Sequence, residues 1–402
     1  MVTYPKDWDE SKLLDHVSLV QGLTYTQENV KPTGTLVLRS SNIQNGRLWL
    51  EDNVHVNAHV PEEKMVEQGD ILVCVRNGSS ALIGKNCVLP ELKHTTFGAF
   101  MSVLRGDSTG YFAKLFESNI VQEQVRGRSN ATINQITKKD FQSIQVTVPK
   151  KTEQEEIART LSQFDIYIDD LAELIEKKKG IRDGALEDLI TKKTRLDGFD
   201  DDWTSVTFNQ VITPKARIGW QGLKKHEYLR SGYSYLIGGT DFNNGTVSLD
   251  NISYVSKERY DMDTNIQVSE NDVLVTKDGT IGKVAIVPEL NKPATLNSGV
   301  FVFRTNSRLV PAFLFRVLQS SVFREFIDTL SAGSTIKHLY QKDLKKFEFE
   351  IPVDMKEQET IAAVLTVMDE EIRDLETERK KMIQIREGAM DDLLTGRVRL
   401  TK

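Results

Sequence analysis

Two stretches of the chain carry hydrophobic residues at alternating spacings of four and three. The first runs Ile157, Leu161, Phe164, Ile168, Leu171 and Ile175; the second runs Ile361, Leu365, Met368, Ile372 and Leu375, then reaches Arg379. A 3.5-residue apolar period belongs to helices that pack along other helices, so each stretch predicts one long helix. Continued to Leu189 and Leu393, the seams would drift off a globular face, and they are expected to pair with each other, antiparallel. Lys178, Arg182, Arg379 and Arg386 interrupt the pattern and are read as places where the helices splay or meet a partner. Elsewhere the pattern is that of strands. ILVCV (71–75) and VLV (273–275) are short β-branched runs closed by Asn77-Gly78 and Asp278-Gly279. One further helix is expected in 111–125, on a face of Phe112, Leu115, Phe116 and Ile120, and one in 311–327, on Phe315, Leu318 and Val322.

These elements recur in one order, twice. SSNIQNGRL (40–48) answers to GTDFNNGTV (239–247), and TINQITKKDF (132–141) to TIKHLYQKDL (335–344). EQEEIARTL (153–161) answers to EQETIAAVL (357–365), and RDGALEDLITKKTRL (182–196) to REGAMDDLLTGRVRL (386–400), at one shared offset of 204 residues. The chain is therefore a tandem repeat of a globular part followed by a long helix. The expected fold is α+β, with two strand-rich mixed domains in pseudo-two-fold tandem joined by an antiparallel two-helix coiled coil. The expected boundaries are 1–152, 153–196, 197–355 and 356–402.

Composition narrows the class. With 402 residues, 39% hydrophobic and 27% charged, the chain reads as a soluble protein of two or three domains. MVTYPKDWDE is not a secretory signal, and no apolar run approaches the roughly 20 residues that span a bilayer. Cys74 and Cys87 lie in strand-like runs without metal spacing and are expected to be buried, reduced thiols in a cytoplasmic protein. The net charge of −6 comes mostly from the helical segments, where 151–196 holds 9 basic against 11 acidic residues and 353–402 holds 9 against 12. The globular segments are near neutral, with 16 against 16 in 1–150 and 18 against 19 in 197–352. Surfaces this neutral hold nucleic acid weakly without help, because phosphate neutralisation supplies most non-specific affinity.

Catalytic chemistry is absent from the pattern. Gly84-Lys85 and Gly282-Lys283 do not form a phosphate loop: Asn86 and Val284 stand where Ser or Thr is needed, and Gly279 precedes Gly282 by only three positions. Their glycines are expected in tight turns between strands. There is no dinucleotide fingerprint, no Pro-Pro-aromatic methyltransferase loop, and no metal-ligand cluster among the six histidines. Asp70 and Asp272 precede strands and are expected to cap turns. A duplicated enzyme with a site between its modules finds no shared catalytic set, and a pure coiled-coil scaffold leaves the divergent polar loops unexplained.

In its duplicated globular-plus-helix plan, Trp8 and Trp203 near the module starts, the DGTIGK turn (278–283), the EQEEIA and EQETIA helix starts and the DLI/DLL-T-x-x-x-R-L helix ends, the chain resembles type I restriction–modification specificity subunits along its whole length. The resemblance implies two target recognition domains, each reading one half of a bipartite, asymmetric sequence in double-stranded DNA. It implies no catalysis by this chain, a coiled coil that sets the spacer, and docking of two methyltransferase subunits followed by endonuclease/translocase subunits. S-adenosylmethionine, Mg2+ and ATP are then expected on those partners, and no cofactor here. Base and phosphate contacts are expected on polar loops at matching places. These are Arg39, Ser41, Asn42, Arg76, Asn77, Lys85, Asn130 and Asn134 in the first copy, and Thr240, Asp241, Lys277, Lys283, Lys337 and His338 in the second. Arg and Asn are favoured because they can pair bidentately with guanine and adenine edges. The four-residue surplus between Asp70 and Ile83 is read as a base-reading finger. The acidic tails are expected to dock the methyltransferase, so deletion of 353–402 should cost the complex and leave the first globular domain folded.

Overall fold

The computed structural model describes residues 4–128, 134–217, 222–331 and 338–400. It divides into two compact units, Met1–Glu173 with Glu376–Lys402, and Leu174–Leu375. Each long helix thus gives one half to each unit.

In the first unit, Ser18–Gln21, Met101–Arg105, Ile71–Cys74 and Asn86–Val88 form an antiparallel sheet in that order. A second sheet runs Thr95–Phe97, Thr35–Leu38, Val54–Val56 and Val30–Lys31, its first pair parallel. Asp9–Lys12 pairs with Gln145–Val148, so the ends of the globular part meet. The second unit repeats this plan. Ile212–Ala216, Val300–Thr305, Val273–Thr276 and Val284–Ile286 form the first sheet, Ala294–Leu296 lies parallel to Ser234–Ile237 in the second, and Trp203–Thr207 pairs with Glu348–Pro352. Small hairpins turn on Asn45-Gly46 and Asn244-Gly245, all four residues at positive φ as a type I′ turn requires. The first hairpin stands alone, while the second joins its sheet through Thr246 and Ile286.

The strand runs Ile71–Cys74 and Val273–Thr276 are wholly buried, as their unbroken apolar character demands. Cys74 and Cys87 are buried free thiols, and desolvation pushes Cys87 up to about 12. Asp70 and Asp272 cap turns by accepting from Glu67 N (2.8 Å) and Ser269 N (3.0 Å). Gly84 has φ +82°, and a Cβ there would stand 2.7 Å from Gln122 Oε1, so turn geometry and packing both call for glycine.

Each of the single helices expected in 111–125 and 311–327 is two. Tyr111–Glu117 and Asn119–Arg128 are broken at Ser118, and Pro311–Gln319 and Ser321–Ser331 at Ser320. Both serines are extended, and their hydroxyls donate back to Leu115 O (2.6 Å) and Val317 O (2.8 Å). A serine that satisfies a local carbonyl this way offers the chain an alternative to the helical ladder.

The long helices are Lys151–Ile190 and Met355–Leu394, 40 residues each and antiparallel within both units. In the first unit Asp165 meets Arg386 and Tyr167 meets Glu378; in the second Lys178 meets Glu371 and Arg182 meets Asp369. Seam residues Ile157, Leu161, Ile168, Leu171, Ile361, Leu365 and Ile372 are buried, while Phe164, Met368 and Leu375 are half-buried. Ile157 and Leu161 belong to a core with Trp8, Leu13, Tyr111 and Phe116 that also takes in Met390, Leu393 and Leu394. Ile361 and Leu365 likewise share a core with Phe208, Phe313, Leu186, Leu189 and Ile190. The seam therefore serves a globular core as well as the second helix.

Three of the seam interruptions are filled by ion pairs within the fold. Arg386 binds Asp165 and Glu117, with Lys114 also on Asp165. Arg182 binds Asp369, which also takes Arg316, the same triad displaced by the repeat. Lys178 pairs with Glu371. These side chains tie helix to helix and helix to domain rather than marking a splay.

The motifs at the helix ends meet crosswise. Arg399 forks onto Glu153 (2.7 and 2.9 Å) and Asp7 (3.0 and 2.9 Å) and lies over the Trp8 ring. Arg195 forks onto Glu357 (3.1 and 2.8 Å), which also accepts from Trp203 Nε1 (3.2 Å). The neighbouring Gln154 and Gln358 donate to Pro149 O (2.9 Å) and Pro352 O (2.8 Å). The start of each long helix thus clamps the end of the other, and the repeated Glu-Gln pair is explained by that clamp.

Candidate nucleic-acid interface

In each unit, three segments converge. In the first unit these are the turn Ser40–Asn42, the loop after Ile71–Cys74, and the bridge residue Gln135. Asn77 Nδ2 donates to Ser40 Oγ (3.1 Å) and Lys85 Nζ to Ser40 O (3.4 Å). Asn134 Nδ2 donates to Gly78 O (2.8 Å), and Asn77 N donates to Asn134 O (3.2 Å). The fold therefore brings Ser41, Asn77, Lys85 and Asn134 together, with Arg39 and Arg76 beside them.

Their availability differs. Asn42 is fully buried: its Oδ1 accepts from Arg39 N (2.9 Å) and its Nδ2 donates to Trp49 O (2.9 Å), so it builds the turn and cannot reach a base edge. Arg39 pairs with Asp52 (2.7 Å). The Ser41 hydroxyl is buried without a partner. Arg76 is exposed, carries no carboxylate among the described residues, and lies 5.1 Å over the Phe100 ring. The surplus loop contains Arg76, Asn77 and the short turn Ser80–Leu82. Asn130 lies outside the described residues.

The second unit places Gly239–Asp241, Lys277-Asp278 and His338 correspondingly. Asp241 repeats the role of Asn42, accepting from Gly238 N (2.7 Å); burial raises its carboxyl above the ordinary range, partly offset by that N–H. Thr240 and Lys283 are exposed. Lys277 Nζ sits 5.5 Å over Phe301. His338 pairs with Asp278 and lies 4.6 Å from the ring of Tyr340, which is 53% exposed. Lys337 lies outside the described residues.

Sequence reasoning missed Phe100, Tyr340 and Asn297, whose Oδ1 accepts from Ser298 N (2.8 Å) and Tyr228 Oη (3.3 Å). Apolar residues beside strands look like core, and only the fold reveals that Phe100 is 55% exposed. Arg217 shows how the copies diverge. It donates to Leu296 O (3.0 Å) from full burial, where Leu23 N serves the matching Phe97 O (2.7 Å). Among the described residues no acid, His or Cys group could hold a metal, and no helix is long and apolar enough to cross a membrane.

The arrangement is that of a duplicated recognition scaffold. The family model described as type I restriction modification DNA specificity domain matches residues 5–179 and again 201–384. The chain belongs to this family, and it is a non-catalytic specificity subunit. It is 24% identical to the putative type I restriction enzyme MjaX specificity subunit of Methanocaldococcus jannaschii, across 98% of this chain and 95% of that one. It is 26% identical to the type I restriction enzyme EcoKI specificity subunit of Escherichia coli strain K12, over 48% and 45%. A crystal structure of a type I restriction–modification S subunit from M. genitalium has the same fold, with TM-score 0.61 and 16% identity over 96% of both chains.

Proposed function

We propose that each unit reads one half of a bipartite, asymmetric site in double-stranded DNA through its converging polar segments. The observation that carries this reading is a reversal of charge on one backbone site. Arg76 bridges Gln135 in the first unit, and Asp278 bridges His338 at the equivalent place in the second. Matching scaffolds with opposite chemistry suit two different half-site sequences. Relatives named as specificity subunits of type I restriction enzymes support the same reading.

In this reading residues 1–152 and 197–355 are the target recognition domains, and 153–196 and 356–402 the coiled-coil segments. The near-neutral domains gain DNA affinity from two docked methyltransferase subunits, with endonuclease/translocase subunits joining them, and the complex works in the cytoplasm. S-adenosylmethionine, Mg2+ and ATP belong to those partners. The test is methylome sequencing of a host carrying this chain with its methyltransferase. A two-part methylated adenine motif with an unspecified spacer is expected, and the purified chain alone should not turn over S-adenosylmethionine. A single continuous motif would overturn the reading.

The long helices are further proposed to set the spacer. Because both ends of each helix are clamped, a lengthening must be made in both, by four residues after Ile175 and four after Arg379. Each insertion adds about 6 Å of helix. The spacer should grow by one or two base pairs with both half-sites unchanged; an unaltered spacer in the methylome would refute the ruler.

A further inference from the structure

We propose that Arg76 reads a guanine in the half-site of the first unit, and that Phe100 is the positioning residue that holds its guanidinium. This rests on the reading that the polar segments meet DNA, and it names the base and the device.

The backbone around Arg76 is pinned on both sides. Val75 N and Arg76 N both donate to Phe100 O (3.0 and 3.1 Å), and Arg76 bridges Gln135 on the other flank. Its side chain lies 5.1 Å over a phenyl ring that is itself 55% exposed. Such a floor favours a cation over the ring face and narrows the rotamers of a long side chain. The N–H groups of a guanidinium lie in its plane, so they remain free for an acceptor at the edge. No carboxylate competes for them among the described residues, whereas Arg39 nearby is held by Asp52.

A fork of two parallel donors matches the O6 and N7 acceptors that guanine presents in the major groove. A guanidinium can also fork onto a phosphate, and the motif and the salt slope of binding tell the two contacts apart. The second unit lacks this device at the matching positions, its nearby cation over a ring being Lys277 over the buried Phe301. The matching positions are Asp278, paired with His338, and Gly299, where a Cβ would sit 3.7 Å from Asp278 Cβ. The correspondence follows from the strands, since Cys74 N donates to Lys85 O and Thr276 N to Lys283 O, each at 2.9 Å. The Arg76 contact therefore has no counterpart in the second half-site.

The experiment uses this chain assembled with its methyltransferase, comparing wild type with Arg76→Ala, Arg76→Lys, Phe100→Ala and Phe100→Tyr. Methylomes and the salt dependence of DNA binding are read together. Wild type should require a guanine at one position. Arg76→Ala should lower discrimination at that position about 5- to 150-fold, as expected for losing one bidentate pair, with the other half-site intact. Arg76→Lys should relax the same position although it keeps the charge. Phe100→Ala should relax it in part, and Phe100→Tyr should restore it. An unchanged motif with weaker binding to every sequence and a smaller salt slope would make Arg76 a phosphate contact and overturn the proposal. Relaxation at a position other than guanine, or no effect of Arg76→Ala, would also overturn it. A wild-type complex without sequence preference would fail the underlying reading itself, an outcome visible before any variant is made.

Discussion

A chain that ends at Leu375 should fail to fold its first unit. Residues 376–402 belong to that unit, and Met390, Leu393 and Leu394 are buried in its core beside Trp8, Leu13, Ile157 and Leu161. Each large side chain removed from such a core costs about 2–5 kcal/mol. The truncation also removes Arg399 and leaves Glu153, only 5% exposed, as a buried carboxylate without its fork. Breaking one partner from a buried pair costs about 3–5 kcal/mol. The loss, on the order of 10 kcal/mol, is comparable with the whole stability of a domain at about 5–15 kcal/mol. Hydrogen exchange should find the amides of Ile71–Cys74 unprotected after truncation. This replaces the expectation from sequence that the first globular part survives deletion of 353–402, and protection equal to the full chain would restore that expectation.

Glu357→Ala should lower the stability of the second unit. The carboxylate is fully buried and takes two bonds from Arg195 and one from Trp203 Nε1. Its removal leaves the Trp203 indole N–H without its acceptor, while the Arg195 guanidinium keeps Asp201 O and is open to water, so the cost is about 1–3 kcal/mol. For a unit of this size that is roughly 2–12 °C in Tm. Arg195→Ala combined with Glu357→Ala should cost less than the two single losses added, because the double variant leaves no orphaned charge. Calorimetry decides the matter, and a shift below about 2 °C for Glu357→Ala would show that the clamp is not needed for stability.

The seams, the turns and the repeat were all legible because each is a local or periodic property. An apolar residue every 3.5 positions has few other uses than helix packing, and Gly84 and Gly282 between strand-like runs suit tight turns, where both have positive φ. The offset of 204 residues then showed that one architecture is built twice. The breaks at Ser118 and Ser320 escaped notice, since a serine in a helical pattern does not announce whether its hydroxyl turns back on the chain.

Partnership across long separations was not legible. The repeated Glu-Gln and Arg-Leu motifs were visible as motifs, yet nothing local says that Glu153 meets Arg399 or that Glu357 meets Arg195. The same holds for the candidate interface. Asn42, Arg39 and Arg76 are equally polar in sequence, but one is buried as a turn former, one pairs with Asp52, and one lies over an exposed phenyl ring with no carboxylate among the described residues. The sequence by itself determined the elements, their duplication and the family, because those follow from spacing and order. Which polar groups remain available at the candidate interface was decided only by the tertiary structure, because a donor is available only when the fold has neither buried it nor supplied its partner.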